Sequence, residues 1–199
     1  MTVSVASLTW VGLSRLGSAM LPSALERARK GDRAAFGELV REHQRAVWGL
    51  CRRLLRSDAE AREVAQETFL RAWTHLDRFD TERSFATWLL SIARNLCLDT
   101  LRHQTRFPHD DVDKHSPYLQ DGAPNAEDAA MTRQAHAALE GALSTLGPDD
   151  RTVLSLYYVQ KQTTKQIADI MGVAPGTIMA RLFRAREKLR ERLQEGNPT

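Results

Sequence analysis

Apolar residues return at three- and four-residue steps through most of this chain, and the alternation expected of strands is almost absent. In residues 58–76 the recurring positions are Ala61, Val64, Ala65, Phe69, Ala72, Trp73 and Leu76, which place one apolar stripe along a helix. The opposite face carries Glu63, Gln66, Glu67, Arg71 and Thr74, with one apolar residue, Leu70, set among them. A second helix follows with Phe85, Trp88, Leu89, Ile92, Ala93 and Leu96 facing inward, and with Ser91, Arg94, Asn95, Asp99 and Arg102 on or beside its outer surface. Between the two, residues 77–84 lose the period and carry Asp77, Arg78, Asp80, Glu82 and Arg83, so they read as an exposed loop with Ser84 capping the next helix. Trp88 lies on the apolar stripe, which favours core packing over exposure; Phe79 and Phe85 flank the loop and are compatible with either.

The C-terminal part repeats the helical period in two short segments. Ile167, Ala168, Ile170 and Met171 supply one apolar side, and Ile178, Leu182, Ala185 and Leu189 the other. Gly172 marks a tight turn between them and Pro175 suits the first helical position, which together give helix-turn-helix spacing. Residues 153–159 look strand-like by composition but sit in a helical period after Pro148 and Asp149.

Charge sharpens this picture. The whole chain of 199 residues carries a net +3. Residues 151–193 alone hold nine Lys and Arg against Asp169, Glu187 and Glu191, a local +6. Positive charge is thus concentrated on the helix-turn-helix, the footprint of a nucleic-acid-binding element. Residues 103–131 instead contain Pro108, Pro117, Gly122 and Pro124 with Asp110, Asp111, Asp113, Asp121, Glu127 and Asp128, and read as a linker. The expected fold class is therefore all-α: two small helical domains joined by a flexible acidic linker. The length suffices for two small cores without metal or disulfide. Cys51 and Cys97 are far apart in sequence and on apolar helical faces, so no disulfide framework or paired metal motif is expected, and a reduced intracellular setting is the default.

With these residues in view, DAEAREVAQETFLRAW and FATWLLSIARN, followed by Asp99 and Arg102, resemble region 2 of bacterial RNA polymerase sigma factors, specifically the extracytoplasmic-function (ECF) group. GTIMARLFRAREKLR is similar to the region 4 recognition helix of the same family. The resemblance implies a domain plan: an N-terminal tail over residues 1–24, region 2 over 25–102, linker over 103–131, region 4 over 132–194 and a short tail over 195–199. It also implies an alternative sigma factor that binds core RNA polymerase, directs it to promoters and helps open the minus-ten element.

Carried over residue by residue, the resemblance places Asp58, Glu63, Gln66, Glu67, Leu70 and Arg71 at the clamp of the polymerase largest subunit. Asp80, Thr81, Glu82, Arg83, Ser84, Phe85, Arg94, Asn95 and Arg102 fall at the minus-ten element. Opening that element means unstacking bases, at a few kcal/mol each, and holding them on protein. Thr177, Met179, Ala180, Arg181, Phe183, Arg184 and Arg186 fall at the minus-thirty-five element, with the polymerase flap as a further region 4 partner. A recognition helix needs short or planar polar groups at its N-terminal end and cations further along, and Thr177, Arg181 and Arg184 fit. Met179 and Ala180 stand where the family usually shows a basic residue and a serine, so readout there is expected to be apolar, as against thymine methyl groups. Ala174 stands where a capping Ser is common. A linker of about 29 residues has a flexible reach of roughly 30 Å and a stretched reach of about 100 Å. Promoter elements about 17 base pairs apart lie roughly 58 Å apart at 3.4 Å per step. The linker spans them without fixing their spacing, so the polymerase must position the domains.

Other classes fit less well. There is no Gly-rich phosphate loop, nucleophile elbow or helical ligand cluster, so neither an enzyme, nor a cofactor, nor a small-molecule substrate is expected. His109 and His115, near Asp110, Asp111 and Asp113, are expected to bind a metal only adventitiously. The alternative from a different class is a stand-alone helix-turn-helix regulator that binds duplex DNA without polymerase. The family implies an anti-sigma factor as partner and a cytoplasmic location, held at the membrane only through that partner. Residues 1–20 lack a basic leader and are neither long nor apolar enough to cross a membrane. The family pattern begins near residues 25–36, so either Met20 is the start of translation or the tail is disordered. The spacing of the two domains and the chain's end soon after Leu193 are expected to exclude a larger sigma factor or an added ligand-binding domain.

Overall fold

A computed structural model describes residues 24–55, 57–106 and 126–195, and every regular element among them is helical. The expectations on residues 1–20, Met20, His109 and His115 lie outside the described residues. Residues 24–29 form a short α1, followed by α2 (Arg33–Leu54), α3 (Asp58–Thr74), a single 3-10 turn (Leu76–Arg78) and α4 (Phe85–Arg106). The C-terminal part comprises α5 (Ala126–Ser144), α6 (Pro148–Leu154), a π-turn (Ser155–Val159), α7 (Thr164–Met171) and α8 (Pro175–Glu195). The all-α expectation holds. The helices extend further than the pattern indicated: α4 continues through His103 and Arg106, and α5 begins at Ala126, so helix enters both ends of the segment read as linker.

Helices α2, α3 and α4 pack pairwise into a three-helix core. Their boundaries follow from local chemistry. Asp32 accepts a hydrogen bond from the Ala35 N–H at the start of α2, and Ser57 accepts one from Glu60 at the start of α3. The core holds Leu39, Val47, Leu50, Leu54, Ala61, Ala72, Leu89, Leu90 and Ala93, all but free of solvent. Cys51 and Cys97 lie in this core as well, brought together by the packing of α2 on α4 although 46 positions separate them in sequence. The neighbouring Cys51 thiol and burial push the Cys97 thiol well above its ordinary pKa. His43 is part-buried against Phe85, 5.5 Å between ring centres, and burial lowers its pKa more than the neighbouring Glu42 raises it.

In the C-terminal part α8 packs on α5, α6 and α7. Thr163 and Gln166 form a reciprocal capping box that starts α7, a Thr-x-x-Gln signal present in the sequence. Gly172 ends α7 in the left-handed region, φ 68°, and its N–H returns to the Ala168 carbonyl. Open space surrounds the position of a Cβ there, so only backbone strain opposes a side chain. We expect Gly172→Ala to cost about 1–2 kcal/mol, read as a lowered unfolding midpoint in denaturant with an unchanged slope.

The strand-like residues 153–159 are helical, but their second half widens into a π-turn closed by the Gln160 N–H on the Ser155 carbonyl, 3.1 Å. That turn aims Gln160 toward the N-terminal helices: its Nε2 donates to the Ala46 carbonyl of α2, 3.0 Å. The contact is one of several between the two halves. Helix α4 packs on α7, and α2 on α6, so the hydrophobic cores of both halves run together.

Candidate polymerase and nucleic-acid interfaces

The amphipathic division of α3 is as the pattern required. Ala61, Val64, Ala65 and Ala72 are buried, Phe69 and Trp73 half-buried, and Thr68 joins them by closing its hydroxyl on the Val64 carbonyl. Glu63, Gln66, Leu70 and Arg71 form the outer face, with Glu67 at its margin. Leu70 is 63% exposed, among the most exposed large apolar side chains described. An exposed leucine flanked by polar groups is unremarkable alone, but here it sits at the centre of a rigid helical face. Glu67 and Arg71 pair across one turn at 2.7 Å. Asp58 differs from the rest of this set. Its carboxylate accepts from Arg52 Nε at 3.1 Å, which ties the end of α2 to the first turn of α3.

The loop between α3 and α4 is shaped by its own side chains. Asp80 accepts from the Glu82 N–H and its carbonyl accepts from the Arg83 N–H, which closes a tight turn. Ser84 accepts from the Thr87 N–H and so caps α4 as expected. Asp80, Thr81, Glu82, Arg83 and Ser84 are all exposed. Phe85 is not: it is buried in an aromatic cluster with Phe79, Trp88 and His43, ring centres 5.5, 5.7 and 5.5 Å away. Its ring therefore packs beneath the loop and is not on its exposed surface. The apolar stripe of α4 begins at its first residue, and burial of the ring there outweighs exposure to a base. Trp88 packs in the same cluster, 4.9 Å from Phe79, in agreement with the core reading.

Further along α4, Asn95 and Arg102 are exposed, and Arg102 pairs with Asp99 one turn away. Arg94 is not free on the surface as expected. Its side chain is only 11% exposed because it turns toward α6, where Nη2 donates to Asp149 Oδ1 at 2.6 Å.

On α8 the exposed and buried faces alternate as the helical period predicts. Thr177, Met179, Ala180, Phe183, Arg184 and Arg186 are exposed, while Ile178, Leu182 and Ala185 are buried. Met179 and Phe183 are 60% and 64% exposed, so this face carries large apolar side chains in solvent. Arg186 lies over the rings of Tyr157 and Tyr158, 5.5 and 5.4 Å to their centres. Arg181 is half-buried and donates to Asp149 Oδ2 at 2.7 Å.

Asp149 is thus the residue that the sequence pattern did not single out. Burial by itself raises its carboxyl pKa, but Arg94 and Arg181 outweigh that and hold it below the ordinary carboxylate range. Beside it Asp150 accepts from Lys188 at 2.7 Å. The two acids stand in the first turn of α6, where the helix dipole favours them. Their side chains also oppose part of the positive charge of α8. Among the described residues no group of His, Cys, Asp and Glu is placed to hold a metal, and no helix is long and apolar enough to cross a membrane.

The chain falls in the Sigma-70 class: residues 39–107, within the three-helix core and α4, match Sigma-70 region 2, and residues 136–189, which hold the helix-turn-helix, match Sigma-70, region 4. Over 88% of its length the chain is 31% identical to the ECF RNA polymerase sigma factor SigW of Bacillus subtilis (strain 168), covering 98% of that protein. It is 35% identical over 84% of its length to the ECF RNA polymerase sigma factor SigL of Mycobacterium tuberculosis (strain H37Rv), covering 94% of it. A solved structure of CnrH in complex with the cytosolic domain of CnrY resembles it with a TM-score of 0.65 at 26% identity, covering 87% of this chain and 97% of that one. The chain belongs to the ECF family of RNA polymerase sigma factors. It is an alternative sigma factor, and the match to region 2 as well as region 4 disfavours a stand-alone helix-turn-helix regulator.

Proposed function

We propose that this sigma factor docks on the clamp of core RNA polymerase through the outer face of α3, with Leu70 at the centre and Glu63, Gln66, Glu67 and Arg71 around it. The observation that carries this reading is the exposure of Leu70 on a helix that buries its other large apolar residues wholly or in part. Asp58 supports the face from its edge by fixing the start of α3 on Arg52.

The exposed turn from Asp80 to Ser84 forms the wall that meets an extruded minus-ten base, and Arg94, Asn95 and Arg102 hold the adjacent backbone or base edges. The short turn is braced by Asp80, so it presents its side chains with little ordering cost on binding. Thr177, Met179, Ala180, Phe183 and Arg184 face the minus-thirty-five major groove, with Arg181 and Arg186 at its phosphates. Region 2 occupies residues 25–102 and region 4 residues 132–194, with the acidic segment between them spanning the two promoter elements and region 4 reaching the polymerase flap.

In this reading the chain works as a polymerase subunit with no catalytic residue, cofactor or metal of its own. Its working place is the cytoplasm, and an anti-sigma factor covers its polymerase-binding faces until a signal arrives. CnrH, 26% identical to this chain, is solved in complex with the cytosolic domain of CnrY, which supports a protein partner for this chain as well. Run-off transcription from a genomic promoter library with purified core polymerase tests the whole reading. Specific transcripts that depend on this protein are expected; binding of duplex DNA without any gain in initiation would overturn it.

A further inference from the structure

We propose that Met179 and Phe183 form a paired reader of C5-methyl groups in the major groove, so that this sigma factor recognises thymine, and equally 5-methylcytosine, within its minus-thirty-five element. With Leu70, these are the most exposed large apolar side chains described. A single exposed apolar residue is common, but two of them one turn apart on the same helix make a continuous patch in solvent.

The outer face of α8 is divided lengthwise. Met179 and Phe183, four positions apart, line one edge, and Thr177 and Arg184, seven apart, line the other. Between the edges lie Gly176 and Ala180, both exposed, and a Cβ built on Gly176 would meet nothing within 4 Å. The middle of the face is therefore a shallow trough along the first turns of the helix. It lets the helix axis come close to base edges while the longer Met179 and Phe183 side chains reach down beside it. Ile178, Leu182 and Ala185 hold the back of α8 in the core, so the patch cannot turn inward without unpacking it.

Charge chooses the occupant. Arg184 is exposed on this same face and no described carboxylate pairs with it, and residues 151–193 hold nine Lys and Arg against three acids. That surplus favours a polyanion over an apolar protein surface. The major groove offers hydrogen-bonding atoms at every base pair and one apolar group, the methyl on C5 of thymine. Cytosine methylated at C5 carries the same methyl at the same ring position. An apolar pair gains only from bases that bear it. Four residues of helix advance about 6 Å and successive bases on a strand lie about 3.4 Å apart, so the two side chains meet methyls about two base steps apart. Reading of this group presupposes the placement of α8 in the major groove proposed above.

The test uses holoenzyme assembled from the full chain and core polymerase, on a promoter recovered by run-off transcription. Every thymine of the minus-thirty-five element is replaced by deoxyuridine, one strand at a time, which removes the C5 methyl and keeps every hydrogen-bonding atom. Binding is expected to weaken about fourfold for each methyl read, the scale of one buried carbon, and about fifteenfold for two. The double substitution Met179→Ala and Phe183→Ala is expected to bind the thymine promoter more weakly and to make no distinction between thymine and deoxyuridine, with helicity equal to the wild type's by circular dichroism. Where cytosine replaces thymine at a sensitive position, methylating that cytosine at C5 is expected to restore about fourfold, so that a cytosine C5-methyltransferase would raise occupancy of such a promoter.

Equal binding of thymine and deoxyuridine promoters by the wild type would overturn the proposal. So would a loss of the same size in the wild type and the double variant, which would assign the methyl effect to DNA shape or to another residue. A minus-thirty-five element without thymine on either strand would overturn it outright. If scrambling the whole element leaves binding unchanged, the placement of α8 on DNA falls, and the methyl reading with it.

Discussion

The double substitution Gln66→Ala and Leu70→Ala is expected to remove promoter-specific run-off transcription while leaving the fold intact. Both side chains are exposed, and neither is recorded in a hydrogen bond or ion pair that holds the helix bundle together. Truncating exposed residues of this kind changes stability by no more than about 0.5 kcal/mol. Binding is another matter. A leucine surrounded by polar groups at the middle of a rigid helical face has the setting of an interface anchor, whose loss costs about 2 kcal/mol or more. That corresponds to core polymerase affinity weakened by roughly thirtyfold for Leu70 alone, with Gln66 adding to it. Fluorescence anisotropy with labelled core polymerase measures the affinity, and circular dichroism checks helicity. Wild-type transcription from the double variant would mean that the outer face of α3 is not where the polymerase sits.

Much of this molecule could be read from its sequence, for a reason visible in the residues. Helices α3 and α8 are amphipathic within their own segments, so the stripe from Ala61 to Ala72 and that from Ile178 to Ala185 identify both the helix and the face it buries. Caps and turns are equally local: Ser84, Gly172 and Pro175 act on neighbours within four positions. What the pattern missed is non-local. Asp149 looks like an ordinary first-turn acid beside Pro148, and nothing in its surroundings along the chain says that it meets Arg94, 55 positions earlier. Cys51 and Cys97, and Gln160 and Ala46, are hidden in the same way. Arg94 was legible as a cation on an outer helix face. That this face is covered by α6 depends on how the two halves pack, which helical periodicity does not encode.

Phe85→Ala is expected to act on stability, where Arg83→Ala, two residues away, acts on promoter choice. The ring of Phe85 touches three other rings and is 8% exposed, so its removal opens a space between α2 and α4 that the neighbouring Phe79 and Trp88 cannot refill without leaving their own contacts. Truncations of this kind cost about 3–5 kcal/mol, which lowers the melting temperature of a chain this size by roughly 10 °C. Arg83 is exposed, and only its backbone N–H, on Asp80, is recorded in holding the turn, so its loss leaves the melting temperature unchanged. On a panel of promoters with altered minus-ten bases, Arg83→Ala is expected to change the ranking. Phe85→Ala, assayed well below its melting temperature, is expected to keep it. The reverse pattern, a stable Phe85→Ala with altered promoter ranking, would return the ring to the DNA surface and show that the aromatic cluster opens when a base is bound.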